Sequence, residues 1–294
     1  MNSVVIGQQM VNALALGSVY AMIAVGLAMI YGVLRILHIA HAGIFVAGAY
    51  LGLYFFKISN NFAFALVASM LLTGLLGSLI ERFIYRPMLP KPRIVALIAS
   101  IGIFICLADF FRLVAGPFQL AFDYPALGGR FMLAGMAIPR VNFAIIGGTL
   151  LLFLLLWFIL RKTRIGFGIR AVAQDRDTAQ MMGINVNLSV QVVFILSSMI
   201  AAFGAIMVSI LYNSVYTTMG DMIGYKGLAL IVIGGFGSIP GAIMAGLLLG
   251  ILETFFVTYS DMPLSRDGIA MLMLVLVLLV RPQGLMGKGV GYAR

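Results

Sequence analysis

Two histidines near the N-terminus are the residues whose type and spacing come closest to a metal site. His38 and His41 are the chain's only histidines, and they lie three residues apart, so a helix would place them on one face. A zinc site needs further nitrogen, sulfur or carboxylate ligands, and the neighbouring sequence offers no thiol or carboxylate. The sequence therefore predicts no metal centre. The two imidazoles either pack and hydrogen-bond inside the protein or face an internal path.

A glycine-rich stretch at residues 234–241, Gly-Gly-Phe-Gly-Ser-Ile-Pro-Gly, has the composition of a phosphate-binding loop. Pro240 occupies the place of the third glycine of a dinucleotide fingerprint, and no Gly-Lys-Ser/Thr ending follows as in a P-loop. We therefore predict no ATP site in this chain. The stretch interrupts an apolar segment, and such a break either lines a path or forms a structural kink. The candidate path residues in this break and the histidine-bearing one are His38, His41, Gly43, Gly234, Gly235, Gly237, Ser238 and Pro240.

Glu253 is a carboxylate inside an apolar segment. Intramembrane carboxylates are costly and often functional. A proton relay needs a chain of such groups, and the sequence shows only this one well inside a predicted span. We therefore favour a structural hydrogen bond for Glu253. No nucleophile–base pair is evident either, so no catalytic residue is assigned.

The elements that position these residues must lie in a lipid bilayer. The 294 residues are 63% hydrophobic and only 10% charged, whereas soluble domains have about a quarter charged residues. Backbone polar groups find no water partners in lipid, so helices are expected, and runs such as 150–160 lack the alternation of a β-barrel. The net charge of +10 is concentrated at the ends of apolar stretches, which is typical of membrane proteins rather than of nucleic-acid binders.

Hydrophobicity predicts an all-α, polytopic membrane helix bundle of about eight or nine spans, forming one domain over residues 1–294. A bilayer requires about 20 apolar residues per helix. The seventh predicted segment is short and is either half a helix or one limb of a re-entrant hairpin. The segments are roughly 9–33, 41–56, 62–80, 94–115, 141–160, 187–211, 225–236, 241–259 and 266–280.

The distribution of Lys and Arg predicts the orientation of the chain. Basic connecting segments face the cytoplasm, which places the N-terminus in the periplasm, the C-terminus in the cytoplasm, and favours an odd number of crossings. The basic residues that this topology collects on one side are Arg35, Arg82, Arg86, Lys91, Arg93, Arg161, Lys162, Arg164, Arg170, Arg176, Arg281, Lys288 and Arg294.

Three short matches occur in the same order in both halves of the chain, which predicts an internal three-helix repeat with broken helices. The alternative is that glycine-rich membrane helices resemble one another by composition. Glycines four residues apart also predict close helix contact. The matches are Gly26-Leu-Ala-Met-Ile with Gly227-Leu-Ala-Leu-Ile; Gly43, Ala47, Gly48, Leu51 and Gly52 with Gly241, Ala245, Gly246, Leu249 and Gly250; and Arg86-Pro87 with Arg281-Pro282.

The longest polar stretch on the predicted cytoplasmic side is 161–187. Asp177 with Gln180 fits a capping box, and Gly183 suits the position just past a helix end, which predicts a short helix at about Thr178–Met182. An apolar side on that helix indicates a docking partner; the alternative is a helix lying on the membrane surface. The residues of this apolar side are Ala179, Met181 and Met182.

Together these segments resemble the LivH-type permease subunits of bacterial ABC importers for branched-chain amino acids, over essentially the whole chain. One departure is that the family usually has an asparagine and an aromatic residue before Ala-His-Gly, where this chain has His38, Ile39 and Ala42. If that break touches substrate, we expect a different specificity. The resemblance rests on residues 12–32, Ile39-Ala-His-Ala-Gly43, Gly168-Ile-Arg-Ala-Val-Ala-Gln-Asp175, Met182-Gly-Ile-Asn185, 234–241 and Arg281-Pro-Gln-Gly-Leu285.

The resemblance implies a complex in the bacterial inner membrane. The chain would form the path with a paralogous LivM-like permease, would be driven by two cytoplasmic ATPase subunits that hold ATP and Mg²⁺, and would receive substrate from a periplasmic binding protein. The chain itself would bind no cofactor. In such importers a short cytoplasmic helix of each permease docks into an ATPase groove. The residues matching that position are Arg170, Asp175, Asp177, Ala179, Met182 and Gly183.

The expected function is therefore ATP-driven import of branched-chain or related amino acids. Related permeases serve leucine-like or other amino acids, urea or short amides, or aromatic acids, and the binding protein usually selects among them. The alternative is a stand-alone ion-coupled carrier of a small polar solute, against which the scarcity of intramembrane acids argues.

Overall fold

The computed structural model describes residues 3–133, 135–260 and 265–287. These residues form a polytopic helical bundle with one small β-hairpin. The elements are α1 (Ser3–Leu34), α2 (Ala40–Ser59), α3 (Phe62–Ile80), a π-helical turn (Glu81–Tyr85), α4 (Arg86–Met88), α5 (Arg93–Ala115), β1 (Arg130–Leu133), β2 (Met136–Pro139), α6 (Arg140–Lys162), α7 (Arg164–Gln174), α8 (Arg176–Met181), α9 (Val186–Leu211), α10 (Met219–Gly234), α11 (Ile239–Tyr259) and α12 (Arg266–Val280).

The predicted all-α membrane bundle is confirmed. Within the described residues, seven helical stretches are long and apolar enough to cross a membrane, with α3 and α4 counted as one continuous stretch. Helices α10 and α12 have 16 and 15 residues, so at about 1.5 Å per residue each is shorter than a hydrocarbon core of about 30 Å. Together these helices occupy the nine predicted apolar segments.

The seventh segment differs from the prediction, because α10 begins at Met219 rather than near residue 225. The prediction left out residues 219–224, whose hydropathy is lowered by Asp221 and two glycines. In the structure Lys226 is only 1% exposed and forms an ion pair with Glu253. The charge of Lys226 is therefore compensated inside the protein, and the helix continues through it.

Helix α1 lies at the centre of the bundle. Of its most apolar 18-residue stretch, 94% is buried, and the figure for α9 is 78%. The corresponding figures for α5 and α6 are only 11% and 17%. Helices α1 and α9 thus form the protein core, whereas most side chains of α5 and α6 lie on the outer surface of the bundle.

Glycines bring α1 and α11 into backbone contact. A Cβ atom on Gly17 would lie 2.9 Å from the Cα of Leu247, and Cβ atoms on Gly246 and Gly250 would overlap the backbones of Ala21 and Gly17. The contact predicted from small residues four apart is therefore present. The two helices run antiparallel, so residues further along α1 contact residues nearer the start of α11.

The glycines proposed to be equivalent in the internal repeat have comparable packing roles. Gly48 and Gly52 on α2 face Ala202 and Ile206 of α9, just as the matching glycines of α11 face α1. The repeat itself stays a prediction, since glycines promote close packing wherever membrane helices cross.

The two ends of the bundle carry different structures. One end, called the basic end here, carries Arg35, Arg86 and Arg93 at helix termini. The other, the hairpin end, carries β1 and β2, which pair antiparallel. Gln8 near the start of α1 donates a hydrogen bond to the carbonyl oxygen of Ala137 (3.1 Å), which fixes the hairpin at that end.

We expect Gly250→Leu to destabilise the protein, because its side chain would overlap the backbone of α1 at Gly17. Overpacking costs about 1–3 kcal/mol even where neighbours can shift, and backbone atoms yield less. The matched control is Gly147→Leu on α6, where an added Cβ would meet no atom within 4 Å. Thermal unfolding of the detergent-purified protein should show a lower midpoint for the first variant only; equal midpoints would contradict the assigned contact.

Candidate functional site

The two breaks singled out in the sequence meet at the basic end. A Cβ on Gly237 would lie 3.1 Å from the Cα of Gly32 in the last turn of α1. The ring of Phe236 lies 4.7 Å from that of Tyr31. The glycine-rich connection therefore packs against the end of α1, just before the chain enters the histidine-bearing break at Arg35.

The glycine-rich break needs glycine for backbone reasons. Gly235 and Gly237 have φ angles of 99° and 75°, a left-handed region that favours glycine. Ser238 then caps α11, because its hydroxyl oxygen accepts a hydrogen bond from the backbone N–H of Gly241 at 3.2 Å. The sequence Gly-Phe-Gly-Ser thus ends one helix and starts the next within a few residues.

The C-terminal segment closes over this break. The N–H of Leu285 donates to the carbonyl oxygen of Ile233 (2.7 Å), and the N–H of Met286 donates to that of Gly234 (3.0 Å). These bonds satisfy carbonyls at the end of α10 that would otherwise lack partners. The Arg-Pro-Gln-Gly-Leu motif therefore caps α10, and the predicted role of the break in lining a path stays a prediction.

The histidine-bearing break is packed in the protein interior. His38 and His41 are 2% and 1% exposed, and their ring centroids lie 6.0 Å apart. His38 Nδ1 shares a 2.7 Å hydrogen bond with the hydroxyl of Tyr85 in the π-helical turn. A Cβ on Gly26 would lie 2.8 Å from His41 Cε1, so that glycine makes room for the imidazole. His38 is therefore packed and hydrogen-bonded through Nδ1, whereas His41 is packed and neither of its ring nitrogens has a hydrogen-bond partner within the described residues. A place for either imidazole on a path stays a prediction.

Gly43 has a packing role in the same region. A Cβ there would lie 3.1 Å from Leu107 of α5 and 3.3 Å from the Cα of Phe104. The start of α2 is anchored by Ser100, whose Oγ accepts a hydrogen bond from the N–H of Ala40 at 2.8 Å. Gly43 therefore allows α5 to approach α2.

An open groove of about 320 Å³ lies beside the two breaks at the basic end. Of the predicted path residues, Pro240 is exposed, whereas His38 and His41 are buried. The groove takes one residue, Phe236, from the glycine-rich break. Its lining residues are Tyr31, Arg35, Ile36, Leu37, Arg93, Ile94, Leu97 and Phe236.

A buried charge network, which the sequence did not predict, joins four helices. Lys226 Nζ lies 2.8 Å from Glu253 Oε1 and 3.2 Å from Asp267 Oδ1, and it donates to the Tyr20 hydroxyl at 2.9 Å. Tyr20 in turn donates to Glu253 Oε2 at 2.7 Å. The predicted structural hydrogen bond of Glu253 is present, and a full ion pair accompanies it.

The sequence contains a signal for this network that a hydropathy profile does not show: a lysine and a glutamate each lie inside a predicted span. Lys226 follows the conspicuous glycine Gly224 and precedes Gly227-Leu-Ala-Leu-Ile, so it lies in the same apolar segment that the repeat identifies. A lysine and a glutamate each inside a predicted span are costly unless paired. That cost was sufficient reason to pair Lys226 with Glu253.

The segment at 161–187 forms two short helices at the basic end, with caps at each junction. Asp175, rather than the predicted Asp177, is the N-cap of α8, since its Oδ1 accepts from the N–H of Asp177 (3.0 Å) and of Thr178 (3.3 Å). The helix therefore spans Arg176–Met181 instead of Thr178–Met182. The hydroxyl of Thr178 also donates to Asp175 and lowers the pKa of that carboxyl.

Gly183 ends α8 as predicted. Its φ is 80°, its N–H donates to Gln180, and the N–H of Ile184 donates to Ala179, both at 3.0 Å. This is a Schellman motif. Asn185 caps α9 two residues later by accepting from the N–H of Leu188 at 3.0 Å. The Met-Gly-Ile-Asn motif thus connects the short surface helix α8 directly to the core helix α9, with a hydrogen-bonded cap on each side.

The predicted apolar side of α8 divides between two environments. Ala179 is 4% exposed and packs on the body of the protein, whereas Met181 and Met182 are each 79% exposed. Asp177 is exposed and so is Arg170 on α7. The outward surface of α8 is therefore formed by the two methionines and the neighbouring polar side chains, whereas Ala179 packs the helix on the body of the protein.

Metal ligands are not grouped in the part of the chain that the structure describes. Within residues 3–133, 135–260 and 265–287, no three His, Cys, Asp or Glu side chains are placed to hold one ion. The absence of a metal centre and of catalytic residues stays a prediction.

Comparison with known proteins finds sequence relatives of this chain. A family model described as "Branched-chain amino acid transport system / permease component" matches residues 9–279. The high-affinity branched-chain amino acid transport system permease protein BraD of Pseudomonas aeruginosa is 33% identical, covering 96% of this chain and 95% of that protein. The corresponding protein LivH of Escherichia coli K12 is 32% identical with the same coverage.

A solved structure supports the fold alone. The chain is similar to PsaBC from Streptococcus pneumoniae in complex with Fab, with a TM-score of 0.50 and 16% identity, covering 92% of this chain and 89% of that one.

We expect Lys226→Met alone to destabilise the protein, because Glu253 would then be buried without its counter-ion. Breaking a buried pair costs about 3–5 kcal/mol. The double variant Lys226→Met/Glu253→Gln removes both charges and leaves the Tyr20 hydroxyl an amide partner, so we expect it to recover most of that loss. A double-mutant cycle of thermal stability measures the coupling. Strictly additive losses would show that the pair has no energetic coupling.

Proposed function

The chain belongs to the family of permease components of branched-chain amino acid transport systems, and we propose that it is the membrane-spanning subunit of an ABC importer. Its cargo would be branched-chain or related amino acids, carried across the bacterial inner membrane. The observation that carries the proposal is the capped helix α8, which presents Met181 and Met182 outward and leads directly into the core helix α9. Energy would come from ATP and Mg²⁺ held by separate subunits, with no catalysis in this chain.

The basic end would face the cytoplasm. Arg35, Arg86 and Arg93 lie there at helix termini, together with α7 and α8, as the positive-inside rule requires. The start of α1 and the β-hairpin would then face the periplasm, where a binding protein delivers substrate. The basic C-terminal residues Lys288 and Arg294, part of the same argument, lie outside the described residues.

The partners would be a paralogous LivM-like permease, two ATPase subunits and a periplasmic binding protein. Two exposed methionines on one helix suit a helix-in-groove contact, since methionine side chains adapt to apolar surfaces. Arg170 and Asp177 are also exposed nearby and would add polar contacts at the rim of the ATPase groove.

Motion of the ATPases would reach the core through the caps of α8. Because Gly183 and Asn185 join α8 to α9 within a few residues, a displacement of α8 would move the start of α9 instead of being absorbed by a flexible loop. Helix α9 packs along α1, α2 and α3. Rigid-body movement of these helices would then alternate access to the path, whose inner part we place near the two breaks.

Uptake by the reconstituted complex tests the function. The chain, its partner permease and the ATPases are placed in proteoliposomes with the cognate binding protein, and labelled leucine uptake is measured with and without ATP. We expect ATP-dependent uptake that unlabelled isoleucine and valine reduce. Uptake by this chain alone, driven by an ion gradient, would instead support a stand-alone carrier.

We expect Met182→Asp to abolish uptake and ATPase co-purification while the protein remains in the membrane, because a carboxylate cannot be buried unpaired in an apolar groove. Met181→Asp should behave similarly. Ala179→Asp is unsuitable, since Ala179 is buried and its replacement would disturb folding. The matched control is Met132→Asp, since Met132 lies in β1 at the hairpin end and is 77% exposed; it should leave ATPase co-purification unchanged. Normal uptake by the α8 variants would exclude this docking site.

A further inference from the structure

Helix α6 has a long apolar side on the outer surface of the bundle. Only 17% of its most apolar 18-residue stretch is buried, and Leu151, Leu154 and Trp157 are each more than half exposed. No charged residue lies between Arg140 and Arg161. The uncharged stretch 141–160 would span about 30 Å as a helix, which is the thickness of a hydrocarbon core. We therefore expect the bilayer to end beside Arg161.

Three cations lie where α6 ends and α7 begins. Arg161 and Lys162 are the last residues of α6, Arg164 is the first of α7, and one residue separates the two helices. These three residues, called the basic junction here, are all exposed. Arg161 follows the exposed Trp157 by four residues. Lys162 follows the exposed Phe158 by four as well, so both cations continue the outward apolar side of α6.

The basic junction has no negative partner among the described residues. None of its three side chains forms a hydrogen bond or an ion pair there, and the stretch 124–174 contains no Asp or Glu. By contrast, Arg86 at the same end of the bundle pairs with Glu81 at 2.8 Å. The positive charge of the junction is therefore left for something outside this chain to compensate.

Aromatic side chains lie beside the junction. Trp157 and Phe158 in the last two turns of α6 are each more than half exposed, and Phe167 of α7 is 61% exposed. Gly166 lets α7 begin directly against α6, since a Cβ there would overlap carbonyl oxygens in the last turn of α6. Phe167 is therefore close to the end of α6. Exposed aromatic rings next to cations are typical of the headgroup level of a bilayer.

We propose that the basic junction binds the phosphate groups of anionic phospholipids, while Trp157, Phe158 and Phe167 contact the glycerol region and upper acyl chains of the same lipids. Charge complementarity favours this occupant, because three cations without counter-ions border an apolar surface, and an anionic phospholipid matches both parts. A zwitterionic lipid brings a cationic group to the same place and binds less tightly. The inference requires that the chain lies in a bilayer, and does not require that it works as an importer.

The tryptophan of this chain allows a direct test, because Trp157 is the only one in the sequence and lies one turn before Arg161. The purified full-length chain is placed in phosphatidylcholine vesicles that contain increasing fractions of phosphatidylglycerol brominated near the glycerol. Bromine quenches tryptophan fluorescence on contact. A parallel series uses brominated phosphatidylcholine. We expect half-maximal quenching at a much lower fraction of the brominated anionic lipid.

Charge-removing variants locate the preference on the chain. Each cation near the membrane surface contributes about a fivefold preference for anionic lipid, so the junction variant should lose on the order of a hundredfold, and Arg161→Gln alone about fivefold. The control removes the same charge from exposed residues at the hairpin end and should keep the preference. The triple variants are Arg161→Gln/Lys162→Gln/Arg164→Gln for the junction and Lys57→Gln/Arg112→Gln/Arg130→Gln for the control.

Four results would overturn the proposal. Equal half-maximal fractions of the two brominated lipids in the unaltered chain would show no selection of anionic lipid. An equal loss in both triple variants would assign the preference to total charge. Displacement of the brominated anionic lipid by inorganic phosphate, at matched ionic strength, would assign the site to free phosphate. Unchanged quenching in a junction variant that no longer co-purifies with the ATPases would assign the surface to those subunits.

Discussion

The backbone contact between α1 and α11 is the constraint on which the rest of the structure depends. Without side chains at Gly17, Gly246 and Gly250, the two helices approach until their backbones are in van der Waals contact. Because they are antiparallel, the same approach brings Gly32 against Gly237 at the basic end and Tyr20 against Glu253 further along. The meeting of the two chain breaks and the assembly of the charge network therefore follow from one crossing.

The charge network is the polar counterpart of that crossing. Lipid-embedded helices gain little from hydrophobic burial against one another, so packing and polar contacts hold them together. Lys226 is linked to α1 through Tyr20, to α11 through Glu253 and to α12 through Asp267. The short helices α10 and α12, which have limited apolar length of their own, are thereby tied to the long helices α1 and α11.

The sequence predicts features that depend on neighbouring residues and misses those that depend on distant ones. Apolar segments, the end of α8 at Gly183 and the close contact at Gly250 are local patterns, and all are present. The start of α10 was wrong, because Asp221 and two glycines lower the hydropathy of residues 219–224. The ion pair of Lys226 with Glu253 was missed because its partners are 27 residues apart. The N-cap of α8 was wrong for a smaller reason: Asp175 and Asp177 both satisfy the preference for a capping carboxylate, and only the backbone conformation distinguishes them. The assignment of the path residues stays a prediction, because a path would depend on the proposed partner subunit and on motion, neither of which one chain's sequence encodes.

The division of the α8 side chains would allow a surface helix to transmit the proposed ATPase motion into a membrane bundle. Buried Ala179 holds the helix against the body of the protein, while Met181 and Met182 face outward. If the whole apolar side of the helix contacted a partner, no apolar contact would hold the helix to the rest of this chain when the partner moved. The Schellman turn at Gly183 and the Asn185 cap satisfy the backbone groups on both sides of the junction, so bending there would break the hydrogen bonds of both caps. The least costly response to a push on the methionines is therefore movement of α8 and the start of α9 together. Since α9 lies against α1, that movement is directed at the helix whose end, at Gly32, meets the glycine-rich break.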